Sequence, residues 1–263
     1  MRPRRPIPRG LRRGLTMRMI APNAVTAMAL CFGLTGIRYG ISNEWEMAVA
    51  AIMIAGVLDG LDGSVARLLR GQSRFGAELD SLSDVIAFGV APSIILYLWS
   101  LQAMPKVGWI FALMHALCCA LRLARFNAQI DADEQPHKSA GFLTGVPAPA
   151  GAGLALVPVY AWLVTEADIF RQWYVVAPWV GMVAFLMISN VATYSWKALR
   201  LRRNLRLEAI LVAGLLAAFL MTMPWLTLLI ISLVYLAFIP AGMMSYRKVR
   251  LRLNADPEPV TED

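Results

Sequence analysis

Cysteine and histidine are scarce in this chain of 263 residues, which holds three cysteines and two histidines. Cys31, Cys118 and Cys119 all lie inside apolar runs, and none has the spacing of a metal ligand. We therefore expect the cysteines to pack inside buried helices and to form no structural disulfide. His115 stands alone in an apolar segment and His137 in a polar one, and we assign neither a catalytic role.

Charged residues are also few. They make up 16% of the chain, hydrophobic residues make up 58%, and the mean hydropathy is +0.58. This composition is far more apolar than that of a soluble domain, and no polar stretch is long enough to fold separately. It predicts an all-α, polytopic integral membrane bundle. The net charge of +8 does not indicate a nucleic-acid partner, because no stretch resembles a nucleic-acid-binding domain.

Apolar runs predict about eight transmembrane helices, most of them near the ~20 residues that span ~30 Å of hydrocarbon. Asn23 is the predicted N-cap of the first helix, and only Met223-Pro224 separates the last two. The predicted helices cover residues 22–41, 46–67, 80–101, 107–126, 146–165, 173–193, 206–223 and 225–245.

These helices form one predicted membrane domain over residues 19–245, between a basic N-terminal arm (1–18) and a polar C-terminal tail (246–263). The arm is either a disordered basic tail or a short amphipathic helix that lies on anionic lipid. If both termini are cytoplasmic, only Arg38, Lys106 and Arg171 of the 25 lysines and arginines fall on the other side. This strong positive-inside pattern predicts a cytoplasmic (inner) membrane protein with an even number of spans.

Four carboxylates stand out against this apolar background: Asp59, Asp62, Asp80 and Asp84. A carboxylate at the bilayer centre costs roughly 2.5–3.5 kcal/mol, so a favourable interaction must compensate for these four. At 3.6 residues per turn, Asp59 and Asp62 share one helical face, and Asp80 and Asp84 lie one turn apart. Two adjacent antiparallel helices would bring the four together as a site for a hard divalent cation, Mg²⁺ or Mn²⁺, at the cytoplasmic face.

The residues beside these acids suit a phosphate ligand. Gly63 and Ala66 remove side-chain bulk, so a large ligand could approach the backbone. Arg67 offers a guanidinium suited to bidentate phosphate binding. The simpler alternative, that the acids cap helix ends or pair with Arg67, Arg70 and Arg74, does not account for four acids with this Gly-Ala-Arg pattern.

The whole stretch resembles the motif of the CDP-alcohol phosphotransferase family, with every position filled. It reads Asp59-x-x-Asp62-Gly63-x-x-Ala66-Arg67-x8-Gly76-x3-Asp80-x3-Asp84. Three later stretches look like the phosphatidylserine synthase branch of that family: Arg122 to Asn127, Gly141 to Gly151, and Ser189 to Lys197. Trp196 and Val146 are mild departures from the branch pattern. The last two predicted helices carry no motif, so we expect the resemblance to end near Lys197 and these helices to serve in packing.

The resemblance implies a metal-dependent enzyme that transfers the phosphatidyl group of CDP-diacylglycerol to the hydroxyl of L-serine and releases CMP. It implies that Asp59, Asp62, Asp80 and Asp84 hold the metal, that Asp84 also accepts the serine proton, and that the protein works as a homodimer among membrane lipids. The expected nucleotide- and phosphate-binding residues are Asn23, Thr26, Asp62, Gly63, Ser64, Ala66, Arg67 and Gly76.

Serine needs partners for its carboxylate and its ammonium group. Among Arg122, Arg125, Asn127 and Lys197, we favour Arg125 and Asn127, although the arginines could equally be positive-inside anchors. Sibling transferases would use choline, glycerol 3-phosphate or inositol phosphate, and the phosphate-bearing acceptors would need a denser basic pocket. A cation or proton transporter would also place acids within the membrane, but residues 140–263 hold no matching second half. The intact motif argues against an inactive scaffold.

Overall fold

The computed structural model describes residues 17–69, 73–130, 142–189, 192–194 and 206–255. Most of the predicted basic arm and the end of the predicted polar tail lie outside these residues. So do Arg70, His137, Trp196 and Lys197.

Helices dominate the described residues. They are α1 (Met17–Ile41), α2 (Trp45–Leu69), α3 (Arg74–Asp84), α4 (Ala91–Trp99), α5 (Pro105–Ile130), α6 (Ala148–Ala155), α7 (Val157–Thr165), α8 (Trp173–Ile188), α9 (Arg206–Thr222) and α10 (Pro224–Ala255). A π-helical turn over Val85–Val90, called the π turn below, joins α3 to α4. Short 3₁₀ turns follow α4 at Leu101–Ala103 and α7 at Asp168–Arg171, and the strands β1 (Phe142–Thr144) and β2 (Ala192–Tyr194) complete the elements.

The helices confirm an all-α integral membrane protein. Five helical segments are long and apolar enough to cross a bilayer: Ile20–Ile41, Trp45–Leu69, Arg74–Trp99, Pro105–Ala128 and Ala148–Thr165. Three shorter apolar helices follow, at Trp173–Ile188, Leu211–Thr222 and Pro224–Pro240. Most side chains of α9 from Leu211 to Met221 are exposed, as expected of a helix that faces lipid.

Two predicted helix starts are wrong. The first helix begins at Met17, so Asn23 lies inside α1 and is not its N-cap. The third begins at Arg74, six residues before the predicted start, because the Ser73 hydroxyl accepts a hydrogen bond from the Gly76 N–H at 3.0 Å and caps the helix. Gly76, Asp80 and Asp84 therefore occupy successive turns of one helix.

The predicted end of the sixth helix is also wrong. That helix, α8, ends at Ile188 instead of continuing to residue 193. Residues 192–194 form β2, which pairs antiparallel with β1 so that Leu143 lies opposite Thr193. The pairing joins two of the three stretches that carry the resemblance to the phosphatidylserine synthase branch.

The buried core lies where α2, α4, α6, α7 and α8 meet around large side chains such as Ile52, Phe88, Ile95, Trp99 and Tyr160. Cys119 is buried as expected, but Cys31 is exposed on α1, and all three cysteines are free. α1 packs along α2 and also contacts α3 and α4. This packing sets α2 and α3 side by side, and these two helices carry the four aspartates.

Candidate metal and nucleotide site

Three of the four aspartates meet at one point between α2 and α3. Asp59, Asp62 and Asp80 each offer a carboxylate oxygen, and these oxygens all lie within 4.8 Å of one another. The Asp84 carboxyl group lies beside that of Asp59 and so joins the group. The structure thus brings together all four carboxyl groups that were predicted to hold a metal.

Helix α1 orients this cluster. The Thr26 hydroxyl donates to Asp62 Oδ2 at 2.6 Å, and both side chains are buried. The Ser83 hydroxyl donates to the Thr26 carbonyl oxygen at 3.2 Å. One turn of α1 therefore contacts both the helix that carries Asp62 and the helix that carries Asp84.

The carboxylates fit a hard divalent cation. Asp80 Oδ1 is buried and has no hydrogen-bond partner among the described residues, although a buried carboxylate oxygen normally has one. The donor set consists of carboxylate oxygens, which are the ligands that Mg²⁺ and Mn²⁺ prefer. A cation among Asp59, Asp62, Asp80 and Asp84 would supply the missing partner and offset the repulsion between neighbouring carboxylates.

A cavity of about 340 Å³ opens beside the cluster, within the size range of small-ligand pockets. It includes all but one of the predicted nucleotide- and phosphate-binding residues. Those lining it are Asn23, Thr26, Asp62, Gly63, Ala66, Arg67 and Gly76, together with Pro22, Ser73, Ala77 and Asp80. The exception is Ser64, whose hydroxyl donates to the Gly60 carbonyl oxygen at 3.1 Å and accepts from Arg67 Nη2 at 3.3 Å.

Two glycines shape this cavity in different ways. A Cβ on Gly76 would lie 2.8 Å from Asn23 Oδ1, so Asn23 keeps its present position only while residue 76 has no side chain. A Cβ on Gly63 would meet nothing within 4 Å. The missing side chain of Gly63 therefore leaves open space for a ligand, as the sequence predicted.

The aspartates divide between two environments. Asp62 and Asp80 line the cavity, whereas Asp59 and Asp84 are not among its lining residues. Asp84 instead lies within electrostatic range of Arg122 and Cys119, both on α5. The cluster thus has one side towards the cavity and another towards α5.

The predicted serine-binding residues lie at the end of α5. Asn127 Nδ2 donates to the Ser81 hydroxyl at 2.8 Å, next to Asp80 in sequence. Arg125 Nη1 donates to the Ile188 carbonyl oxygen at 3.3 Å and so links α5 to α8. Sequence reasoning included Arg122 among the candidates but did not favour it, and its buried Nε has no hydrogen-bond partner among the described residues. Arg122 follows His115 by seven residues, which is two helical turns. This spacing puts the two residues on one face of the helix and could have indicated that Arg122 points inward.

This fold and site define a class: integral membrane proteins whose helices hold a carboxylate cluster beside a cavity of the size that small ligands occupy. A family model described as CDP-alcohol phosphatidyltransferase matches residues 19–189, and a second, CDP-alcohol phosphatidyltransferase 2, matches residues 204–240. The chain belongs to the CDP-alcohol phosphatidyltransferase family and is therefore a transferase.

Several relatives that match most of this chain share the same name. The CDP-diacylglycerol–serine O-phosphatidyltransferase of Mycobacterium tuberculosis (strain CDC 1551 / Oshkosh) is 37% identical over 244 residues, covering 91% of this chain and 83% of the relative. That of Mycobacterium leprae (strain TN) is 36% identical, covering 87% and 76%. That of Helicobacter pylori (strain ATCC 700392 / 26695) is 35% identical, covering 71% and 76%.

These comparisons confirm the resemblance to the phosphatidylserine synthase branch. They also correct its extent, because the second family model covers residues 204–240. The expectation that the resemblance ends near Lys197 is wrong, and α9 and the first half of α10 belong to the family match.

Proposed function

We propose that this protein transfers the phosphatidyl group from CDP-diacylglycerol to the hydroxyl of L-serine, giving phosphatidylserine and CMP. The observation that carries this proposal is the meeting of Asp59, Asp62 and Asp80 within 4.8 Å beside a cavity lined by Gly63 and Arg67. The names of the relatives supply the substrates.

The cavity would receive the cytidine diphosphate part of the substrate. Arg67 is a cation among its lining residues and suits a diphosphate oxygen pair. Gly63 lets that diphosphate approach the α2 backbone, and Asn23, held against Gly76, offers an amide to the polar nucleotide. The acyl chains stay in the bilayer, because the site is built within membrane helices.

Asp59, Asp62, Asp80 and Asp84 would hold one or two divalent cations, Mg²⁺ or Mn²⁺. Such an ion, when bound, neutralises charge on the diphosphate and on the departing CMP. The protein's own part is to fix the carboxylates, and Thr26 does so by its short hydrogen bond to Asp62.

The acceptor would enter from the α5 side of the cluster. Asp84 accepts the proton of the serine hydroxyl, whose oxygen attacks the lipid-side phosphorus. The bond from that phosphorus to the CMP oxygen breaks, and CMP leaves through the cavity. Arg122, whose Nε has no hydrogen-bond partner in the described part of the chain, is suited to the serine carboxylate, with Asn127 and Arg125 nearby on the same helix.

For the whole protein, we propose eight transmembrane helices with both termini and the active site on the cytoplasmic side of the inner membrane. The positive-inside pattern of the loops supports this orientation. We also propose a homodimer, as the family resemblance implies.

The direct test is to incubate purified protein with CDP-diacylglycerol, Mn²⁺ and one alcohol at a time, and to measure CMP release. We expect release with serine, and little with choline, glycerol 3-phosphate or inositol phosphate. Asp59→Asn should abolish it, whereas Asp168→Asn, at an exposed aspartate outside the cluster, should not. Release that requires another alcohol would reject serine as the acceptor.

A further inference from the structure

One face of α5 presses directly against the π turn that follows Asp84. His115, Cys119 and Arg122 are spaced by four and three residues, so they share this face. A Cβ on Gly89, inside the π turn, would lie 3.1 Å from Cys119 Cβ and 3.2 Å from its Sγ. A side chain at position 89 would therefore press against Cys119 of α5.

His115 makes the polar part of this contact. Its Nδ1 lies 3.1 Å from the Ser93 hydroxyl and 3.4 Å from the Gly89 carbonyl oxygen. The Ser93 hydroxyl donates to the same carbonyl at 2.7 Å. The Ser93 and His115 side chains therefore contact each other and the same carbonyl oxygen of the π turn.

These polar groups are fully enclosed. His115 is 0% exposed and Ser93 3% exposed. Placing such groups among apolar side chains is costly. A core that needed only packing would be served as well by an apolar residue at position 115.

The segment that His115 contacts is itself unusual. The Ala91 N–H bonds to the carbonyl oxygen of Ile86, five residues back, which defines the π turn. Single π turns within α-helices are rare and frequently mark functional sites. This one begins at the residue after Asp84, so its geometry sets the direction of Asp84 relative to the rest of the helix.

We propose that His115 is a positioning residue: together with Ser93 it holds the Gly89 carbonyl, fixes the π turn, and so orients Asp84 towards Asp59 and the acceptor. This inference rests on the proposed function, which gives Asp84 its role as proton acceptor. His115 does not touch substrate, since it lies two helical turns from Arg122.

The test compares His115→Ala, His115→Gln and Ser93→Ala with the control Thr227→Val. Thr227 is also a buried residue whose hydroxyl donates to a carbonyl four residues back, at 2.8 Å, but on α10. For each purified variant, kcat and KM are measured by CMP release, CDP binding by calorimetry, and stability by thermal unfolding.

We expect His115→Ala to lower kcat by between about tenfold and a hundredfold, the effect of displacing a reacting group slightly, with CDP binding unchanged. His115→Gln should recover most of this loss, because its amide can donate to the Gly89 carbonyl. Ser93→Ala should lower kcat several-fold, and Thr227→Val should behave as the unaltered protein. A general loss of folded protein would lower kcat and CDP binding together, so a fall in kcat alone indicates a specific effect on the reaction.

An unchanged kcat in His115→Ala would overturn the proposal. So would losses of kcat, CDP binding and stability in parallel, which would make His115 a packing residue only. If His115→Ala does not fold, the same criteria are applied to Ser93→Ala: an unchanged kcat, or parallel losses of kcat, CDP binding and stability, would overturn the proposal. Failure of the proposed function would be seen separately, because the unaltered protein would then not use serine. In that case the kcat of each variant is measured with the alcohol that the unaltered protein does use.

Discussion

The four aspartates do not have equal surroundings, although all lie within membrane helices. Asp62 is 5% exposed and is held by Thr26, and Asp80 has an oxygen that contacts no hydrogen-bond partner among the described residues. Asp59 and Asp84 lie beside each other and are not among the residues that line the cavity. This difference at the level of single residues is the basis of the proposed nucleotide side and acceptor side.

Replacing Asp84 tests that separation. We expect Asp84→Asn to lower turnover by at least roughly 10²-fold, the lower contribution of a general base. CDP affinity should fall less than in Asp59→Asn, because Asp84 does not line the cavity. Turnover with serine and CDP calorimetry on both variants check this. Equal loss of CDP binding would make Asp84 chiefly a metal ligand, and near-normal turnover would remove its role altogether.

Gly63 offers a second test at the same scale. A Cβ there meets no protein atom within 4 Å, so Gly63→Ala should fold normally and yet weaken CDP binding by filling ligand space. Gly60→Ala is the matched control, since a Cβ on Gly60 also meets nothing within 4 Å and Gly60 does not line the cavity. Calorimetry with CDP measures both. Equal affinities in the two variants would show that the ligand does not approach Gly63.

Single residues were predicted well where local spacing decides their position. Asp59 and Asp62 share a face by helical periodicity alone, and so do Asp80 and Asp84. His115 was assigned no role and Arg122 was not favoured, because their importance depends on which element α5 packs against. No local sequence pattern predicted the π turn, which is visible only in the backbone bond from Ala91 to Ile86.

Among the elements, α1 has a role that its apolar sequence does not suggest. Its Thr26 bonds Asp62 on α2 through the hydroxyl and Ser83 on α3 through the carbonyl. The helix therefore aligns the two carboxylate-bearing helices with each other.

Thr26→Val tests this alignment. The variant keeps the side-chain shape but loses the bond to Asp62, and hydrogen bonds to charged groups contribute ~1.5–3 kcal/mol. The Mn²⁺ concentration for half-maximal activity should therefore rise by at least about tenfold. Thr227→Val is the control, because it removes a similar buried hydroxyl bond on α10 and leaves the aspartate cluster untouched, so its Mn²⁺ dependence should not change. The same Mn²⁺ dependence in Thr26→Val as in Thr227→Val would contradict the role of Thr26.

The sequence predicted which segments are helical better than it predicted the residues at which the helices begin and end. Hydropathy located the apolar segments, but it missed the polar first turn of α3, which Ser73 caps. It also extended α8 into residues that pair as β2, because strand pairing with β1 is a contact between distant parts of the chain. Both errors arise where hydrogen bonds, rather than apolar burial, set the end of an element.

For the whole molecule, the central prediction concerns orientation in the membrane. A reporter fused after Asp263 or inserted at Gln135 should be cytoplasmic, and one inserted at Asp168 should face the other side. The reason is the charge pattern, because this orientation would leave only Arg38, Lys106 and Arg171 of the lysines and arginines outside the cytoplasm. Reporter activity in intact cells measures each position, and any other pattern would reject the eight-span arrangement.

The most direct test of the proposed reaction follows the transfer of isotopically labelled serine into lipid. Purified protein with CDP-diacylglycerol and Mn²⁺ should move the label into the lipid fraction with one CMP released per labelled lipid. EDTA should stop both, and so should Asp80→Asn in a protein that still inserts. Full transfer in EDTA would contradict the metal role of the aspartates, and label that stays in the aqueous phase while CMP is released would contradict transfer to serine.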